Sequence, residues 1–147
     1  MATLTSGAVS ANDAFKPFPQ GNLGIRVGEY TITAALAAND VIQLCDVFKG
    51  ETVVGVIIKS DDLDTNGSPA IVLDVGYGGA TAAFIDGSTI AQAGGTASSL
   101  AIGNATHGST ATAPVTFTAD DTIDVLVQTA PGTGATTGTI TMWLLVI

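Results

Sequence analysis

The segment "TVVGVIIKSDDLDTNGSPAIVLDVGYG", Thr52 to Gly78, contains two runs of strand-forming residues around a polar loop. The first run is apolar on both faces, which predicts a strand in the middle of a sheet. In the second run Ile71, Leu73 and Val75 share one face and Asp74 lies on the other, a period of two that is typical of a half-buried strand. The most economical connection between two such strands is a β-hairpin, so the segment predicts antiparallel β-structure.

The loop between these two runs begins like a calcium-binding loop. From Asp62 it reads Asp, Leu, Asp, Thr, Asn, Gly, which makes Asp62, Asp64 and Asn66 weak candidates for metal ligands. A calcium site of the helix-loop-helix type needs a bidentate Glu at its twelfth position, and that position is Leu73 here. Asp, Asn and Gly are also the residues that tight turns require. We therefore favour a turn, and we predict no metal and no cofactor.

The segment from Leu23 to Thr33 predicts another strand. Leu23, Ile25 and Val27 share one face, after which the apolar phase shifts to Tyr30 and Ile32. Such a slip indicates a bulge or bend in the strand.

Two later segments give further strands and one alternative. "VTFTADDTIDVLVQTA" predicts two strands with Ile123, Val125 and Val127 on the inner face. "TAAFIDGSTIAQAGG", residues 81–95, has a weak helical pattern that ends at two glycines.

The last seven residues, "TMWLLVI", are apolar on both faces of a predicted strand. Met142, Leu144 and Val146 form one face, while Trp143 and Ile147 contribute to the other. A strand of this kind needs a second covering surface, supplied by the N-terminal arm or by another subunit.

The composition agrees with a β-protein of one domain. The chain has 147 residues, of which 46% are hydrophobic and only 12% are charged, and it contains 18 glycines. Many short strands joined by turns, without alternating helices, predict an all-β antiparallel β-sandwich, with a jelly roll as the first choice. We assign residues 23–147 to this domain and residues 1–22 to an extended N-terminal arm, because two prolines disfavour a helix there. Phe15 and Phe18 on the arm either dock on a neighbour or fold back.

Several function classes are disfavoured. The formal net charge of −9 repels phosphate backbones and anionic lipids, so we expect neither nucleic acid nor a membrane as partner. No apolar run approaches the ~20 residues of a membrane span, and no secretion signal is visible. Cys45 lies in an apolar run and predicts a buried, inert thiol. His107 is the only histidine and has no carboxylate nearby in sequence, which argues against an enzyme.

One long stretch, residues 30–79, resembles small structural proteins from the head gene region of tailed bacteriophages. The features that carry this likeness are "AAND" before an apolar strand, "KG" at a turn, the "DDLD" loop and a strand that ends "LDVG". "AFIDGSTIAQAGG" continues it. The pattern is similar to that of capsid cement, or decoration, proteins, and the rest of the chain matches only in general texture.

This resemblance implies a jelly-roll protein that binds the outside of the phage head and clamps neighbouring subunits of the major capsid protein. It implies a virion location after synthesis in the host cytoplasm, and a homo-oligomer, dimer or trimer, on the capsid. We predict Phe15, Phe18, Trp143 and Ile147 as contacts to the capsid or between subunits. Two other classes stay open: a virion-displayed carbohydrate-binding or host-adhesion sandwich, and a hydrolase that uses His107.

Overall fold

The computed structural model describes residues 1–5, 23–100 and 114–147. Within these ranges almost all regular structure is extended, because short apolar and β-branched runs alternate with glycine-rich and polar turns. The strands are β1 (Thr3–Thr5), β2 (Gly24–Thr31), β3 (Val41–Val47), β4 (Thr52–Ser60), β5 (Val72–Tyr77), β6 (Ala80–Ser88), β7 (Gly95–Ser98), β8 (Val115–Thr116), β9 (Asp121–Thr129) and β10 (Thr139–Val146). A single 3-10 turn, Ile90–Gln92, lies between β6 and β7.

The strands form two sheets. Sheet I has the order β1-β3-β9-β5-β6, and sheet II has the order β2-β10-β4-β7, with β8 also pairing with β4. All neighbours are antiparallel except β1 and β3. The predicted all-β sandwich is confirmed, and so is the central position of β4, whereas the jelly-roll connectivity stays a prediction.

The hydrophobic core lies between the two sheets. Alternate residues of β9 and β10 point into it, and Ile123, Val125, Val127 and Met142 are fully buried. Each such side chain contributes about 1.5–3 kcal/mol through the removal of its apolar surface from water.

Cys45 belongs to this core, next to a register shift in the pairing of β3 with β9. Burial raises the pKa of its thiol to about 12, so the thiol is protonated at neutral pH. The prediction of a buried thiol is confirmed.

The predicted hairpin between β4 and β5 is wrong. The two strands belong to different sheets, and the loop between them crosses from sheet II to sheet I. Leu63 and Ile71 anchor this crossing in the core, where they are 1% and 0% exposed. The hairpin partner of β5 is β6, with which it pairs antiparallel across the turn at Gly78 and Gly79.

The predicted bulge in β2 is also wrong. β2 pairs with β10 without interruption from Gly24 to Thr31. The apparent phase shift arises because the apolar residues of β2 lie on both faces of a regular strand. Ile25 and Val27 point outward, while Tyr30 points inward on the same side as Arg26.

The weak helical option for residues 81–95 is wrong for most of its length. β6 occupies residues up to Ser88 and pairs with β5, and Gly87 has a positive φ of 68°. Only the short 3-10 turn follows the helical pattern. The pairing with β5 is a long-range interaction that local periodicity does not contain.

The N-terminal arm is described only at its start. Thr3–Thr5 adds a parallel edge strand to β3, while Phe15 and Phe18 lie outside the described residues, so the boundary at residue 22 stays a prediction. In the described parts of the chain, no helix has the length and apolar character needed to cross a membrane.

Candidate functional site: an apolar sheet face

The loop that begins like a calcium site is built around the carboxylate of Asp64. This side chain is 1% exposed and accepts hydrogen bonds from five backbone N–H groups at 2.7–3.3 Å, those of Asn66, Ala70, Ile71, Gly132 and Thr133. Burial by itself would raise the pKa of this carboxyl. The backbone donors outweigh burial and hold the pKa well below its usual range.

The neighbouring candidate ligands serve the same loop. Asp62 accepts the N–H of Asp64 at 3.0 Å, and Asn66 accepts the N–H of Ser68 at 2.9 Å. Both are side-chain turns that begin at Asp or Asn. Among the described residues no group of three or more His, Cys, Asp or Glu side chains could hold a metal ion. The loop therefore has a structural explanation: it fastens the crossing between the sheets to the segment that contains Thr133.

A buried ion pair fixes β2 against the interior. Arg26 is 6% exposed, and its guanidinium donates to both carboxylate oxygens of Glu51 and, at 2.7 Å, to the carbonyl oxygen of Asp46. The same guanidinium lies over the ring of Phe48, 5.1 Å from its centre. A bidentate pair with further hydrogen bonds compensates the desolvation of both charges. Arg26 can therefore point inward, and its neighbours in β2 must point outward.

Those neighbours form an exposed apolar feature on the surface of sheet II. Ile25 and Val27 are 58% and 53% exposed, and they lie beside the half-buried side chains of Trp143, Leu145 and Ile57. We call these five residues the apolar face. Contiguous exposed apolar surface of this kind marks a binding surface more often than a single exposed leucine does.

The strand registers order this face into rows. Trp143 of β10 is paired with Val27 on one side and with Ile57 on the other. Leu145 is paired with Ile25 and Gly55. Paired residues project to the same side of a sheet, so each row presents its side chains together.

A leucine from the end of the described segment completes the second row. A Cβ atom on Gly55 would lie 2.5 Å from the side chain of Leu100. Leu100 therefore covers Gly55, where that strand has no side chain of its own.

One of the predicted contact residues belongs to the apolar face and a second lies beside it. Trp143 is in the middle of the apolar face, and Ile147, 43% exposed, follows β10 at the same end of the sheet as Leu145. Phe15, Phe18 and His107 lie outside the described residues.

The sequence reading missed Ile25 and Val27 as site residues. From the sequence alone these two residues are expected to face the core, because the alternate positions Gly24, Arg26 and Gly28 cannot fill one. No local signal shows the reverse, since the inward position of Arg26 depends on its pairing with the distant Glu51.

The outer face of sheet I has a different chemistry. Asp124, paired with Gln43 and Gly76, points outward from β9 and has a buried carboxylate oxygen without a hydrogen-bond partner among the described residues. Burial raises its pKa to about 6, against a hydrogen bond from Thr122. Burial also raises the pKa of Asp46 and Asp74. This face thus combines carboxylates with the half-buried Val41 and Leu126. The strand residues that are apolar and more than half exposed, Ile25 and Val27, lie on sheet II, so we place the candidate binding surface there.

Two solved structures resemble this chain over most of its length. A chain in the structure "Capsid of Ralstonia phage GP4" is 27% identical and superimposes with a TM-score of 0.80, with 99% of this chain and 97% of that chain covered. A chain in "Cyanophage Pam1 capsid asymmetric unit" is 27% identical, with a TM-score of 0.72 and with 90% and 89% covered. No protein-family model matches the sequence, and no curated protein matches it significantly.

These likenesses define the class of protein. They support a phage capsid-related structural protein with an all-β sandwich fold. The part of the sequence-based prediction that concerns phage heads is supported at this level.

Proposed function

We propose that this chain is a capsid cement protein, which binds the outer surface of a phage head and stabilises contacts between subunits of the major capsid protein. The observation that carries the proposal is the likeness, over 99% of this chain, to a chain of the Ralstonia phage GP4 capsid. Because the alignment also covers 97% of that chain, the capsid neighbour is about as small as this protein. A subunit of this size fits an accessory role on a shell.

The chemistry of the described residues is compatible with such a role. The buried charged residues Arg26, Asp40, Asp64 and Asp74 all take part in structural hydrogen bonds, and the apolar face is exposed. A cement protein needs contact area and no reactive group. A stable protein interface buries about 800 Å² on each partner, and many such contacts repeated over a head would add up through multivalency.

The contact residues divide into two groups. Phe15 and Phe18, on the predicted arm, are proposed contacts to the capsid. Trp143 on the apolar face, and Ile147 just beyond the end of β10, are proposed contacts between subunits, consistent with a homo-oligomer on the capsid surface. Aromatic side chains at such positions supply large contact areas at a small entropic cost.

A co-sedimentation experiment tests the function. The purified full chain is added to heads that lack it, and the number of bound chains per head and the melting temperature of the heads are measured. We expect saturable binding and more stable heads. Heads that sediment without the chain, at the same melting temperature as untreated heads, would contradict the cement role.

The double variant Phe15→Ser and Phe18→Ser tests the arm. We expect lower occupancy on heads, with an unchanged melting temperature of the free protein as the control for folding. Occupancy equal to that of the unmodified chain would remove both phenylalanines from the interface.

A further inference from the structure

The apolar face is bounded at one end by a charged row. Thr141 of β10 is paired with Glu29 on β2 and with Lys59 on β4, and both charged residues are exposed. The hydroxyl of Thr141 donates to a carboxylate oxygen of Glu29 at 3.2 Å, which holds the acid over the sheet. Glu29 and Lys59 thus flank β10 symmetrically, one on each side, at the same height.

The charged row and the two rows of the apolar face together make three rows across β2, β10 and β4. The rows are Glu29, Thr141 and Lys59; then Val27, Trp143 and Ile57; then Ile25, Leu145 and Gly55 with Leu100 over it. In each row the residue on β2 is complementary to the residue on β4: acid to base, or apolar to apolar.

We infer that this face binds the same face of a second copy of the chain, through a two-fold axis that runs parallel to β10 between the two sheets. Such an axis exchanges the two flanks of β10 and leaves each row at its own height. Val27 then lies opposite Ile57 of the second copy, and Trp143 lies next to its symmetry mate. Face-to-face sheets of this kind pack about 10 Å apart with strands within about 30° of each other.

The same axis places Glu29 opposite Lys59 of the second copy, and it does so twice. This reciprocity is what a two-fold interface requires, since each surface patch must be complementary to itself. The net charge of −9 would oppose association of two copies elsewhere on the surface. On the strands of sheet II the only charged residues are Arg26, Glu29 and Lys59, and Arg26 is already paired inside, so this face is locally neutral.

This inference deepens the proposed function, because a dimer would present two capsid-binding subunits as one clamp. Dimerisation is measured on the free protein, without phage heads. A negative result for the dimer is therefore distinguishable from a negative result for capsid binding. The dimer would raise occupancy on heads through effective concentration.

Sedimentation velocity over a concentration series, from about 1 to about 300 μM so as to include weak dimers, measures the association. We expect a concentration-dependent dimer. Val27→Asp places an unpaired carboxylate in the centre of the interface. We expect the dissociation constant of the dimer to rise by at least about 100-fold. A monomer at every concentration would overturn the inference, even if Val27→Asp also weakens binding to heads, because the face would then be a capsid contact.

A charge exchange tests the two-fold geometry itself. Glu29→Lys or Lys59→Glu alone places like charges opposite each other twice, and we expect dimerisation about tenfold weaker. The double exchange restores both pairs and is expected to return the dissociation constant to near that of the unmodified chain. Asp86→Lys on β6 makes the same change in net charge as Glu29→Lys, but on sheet I, and is the matched control for that variant. A double exchange that is no better than the single variants would overturn the proposed axis.

Discussion

β2 and β9 have opposite polarity. In β9 the apolar side chains of Ile123 and Val125 point into the core and Asp124 points outward, which is the usual pattern of a half-buried strand. In β2 the charged side chain of Arg26 points inward, while Ile25 and Val27 point to solvent and are more than half exposed.

This difference teaches that the two strands have different tasks. The inward face of β9 builds the core, so its outward face is free to be polar. The inward face of β2 contributes Arg26, Gly28 and the half-buried Tyr30. The outward residues Ile25 and Val27 are not required to fill the core. Apolar side chains that the fold does not need are available for a partner.

The largest effect is expected from breaking the inward charge of β2. Arg26→Ala leaves the carboxylate of Glu51 buried without its partner, and we expect a loss of about 3–5 kcal/mol in the free energy of unfolding. Urea denaturation monitored by the fluorescence of Trp143 measures it. The double variant Arg26→Met and Glu51→Leu removes both charges and is expected to be more stable than Arg26→Ala. A loss below about 1 kcal/mol, as for an exposed pair, would contradict the buried role of this ion pair.

A matched pair of valines compares the two strands directly. Val125→Ala on β9 removes two buried methyl groups, and we expect a loss of about 2–3 kcal/mol. Val27→Ala on β2 is the same change at a side chain that is 53% exposed, and in dilute protein we expect a change within about 0.5 kcal/mol. Equal losses in urea denaturation would mean that Val27 belongs to the core. At higher concentration the stability difference at Val27 should grow if a second copy binds there.

The smallest effect concerns the outward side of β9. The pKa of Asp124 is raised to about 6 from 3.8, so the folded protein binds this proton more tightly than the unfolded chain does. Stability from this group is present below the unfolded pKa and is lost as the pH rises through the folded value near 6. Asp124→Asn removes this pH-dependent loss of stability. Because the carboxylate is partly exposed, we expect the variant to gain only about 1 kcal/mol in the free energy of unfolding at pH 8.

The gain at Asp124→Asn should disappear below about pH 3, where the unmodified carboxyl is protonated in both the folded and the unfolded state. Unfolding curves of both proteins at several pH values measure it. If the variant is more stable by the same amount at every pH, the cause is packing or hydrogen bonding and not the ionisation of Asp124.

Much of the fold could be predicted from the sequence. Period-two patterns located β9 and β10 and their inner faces, and the doubly apolar run of β4 located a central strand. These predictions succeeded because the alternation of apolar and polar residues within a strand indicates directly which of its faces is buried. The same residues placed Trp143 and Ile147 near the candidate surface.

The errors concern interactions between distant residues. Nothing within residues 52–78 shows that Asp64 is held by Gly132 and Thr133, so the crossing between the sheets looked like a hairpin. Nothing within β2 shows that Glu51 neutralises Arg26, so the inverted polarity of that strand looked like a bulge. A local sequence pattern indicates which residues of a strand are buried. It does not show which distant partner stabilises a buried charge or a buried loop.

Gly28 has a consequence for recognition. A Cβ atom at this position would lie 2.0 Å from the backbone oxygen of Leu44, so the backbone of β2 packs directly on β3. Any residue with a side chain at position 28 would displace one of the two strands. The outward surface thus has a stiff support behind it and keeps its shape before any encounter. A preorganised surface loses less conformational entropy on binding, and the affinity of this protein for whatever covers β2 is therefore decided partly by a residue that no partner can touch.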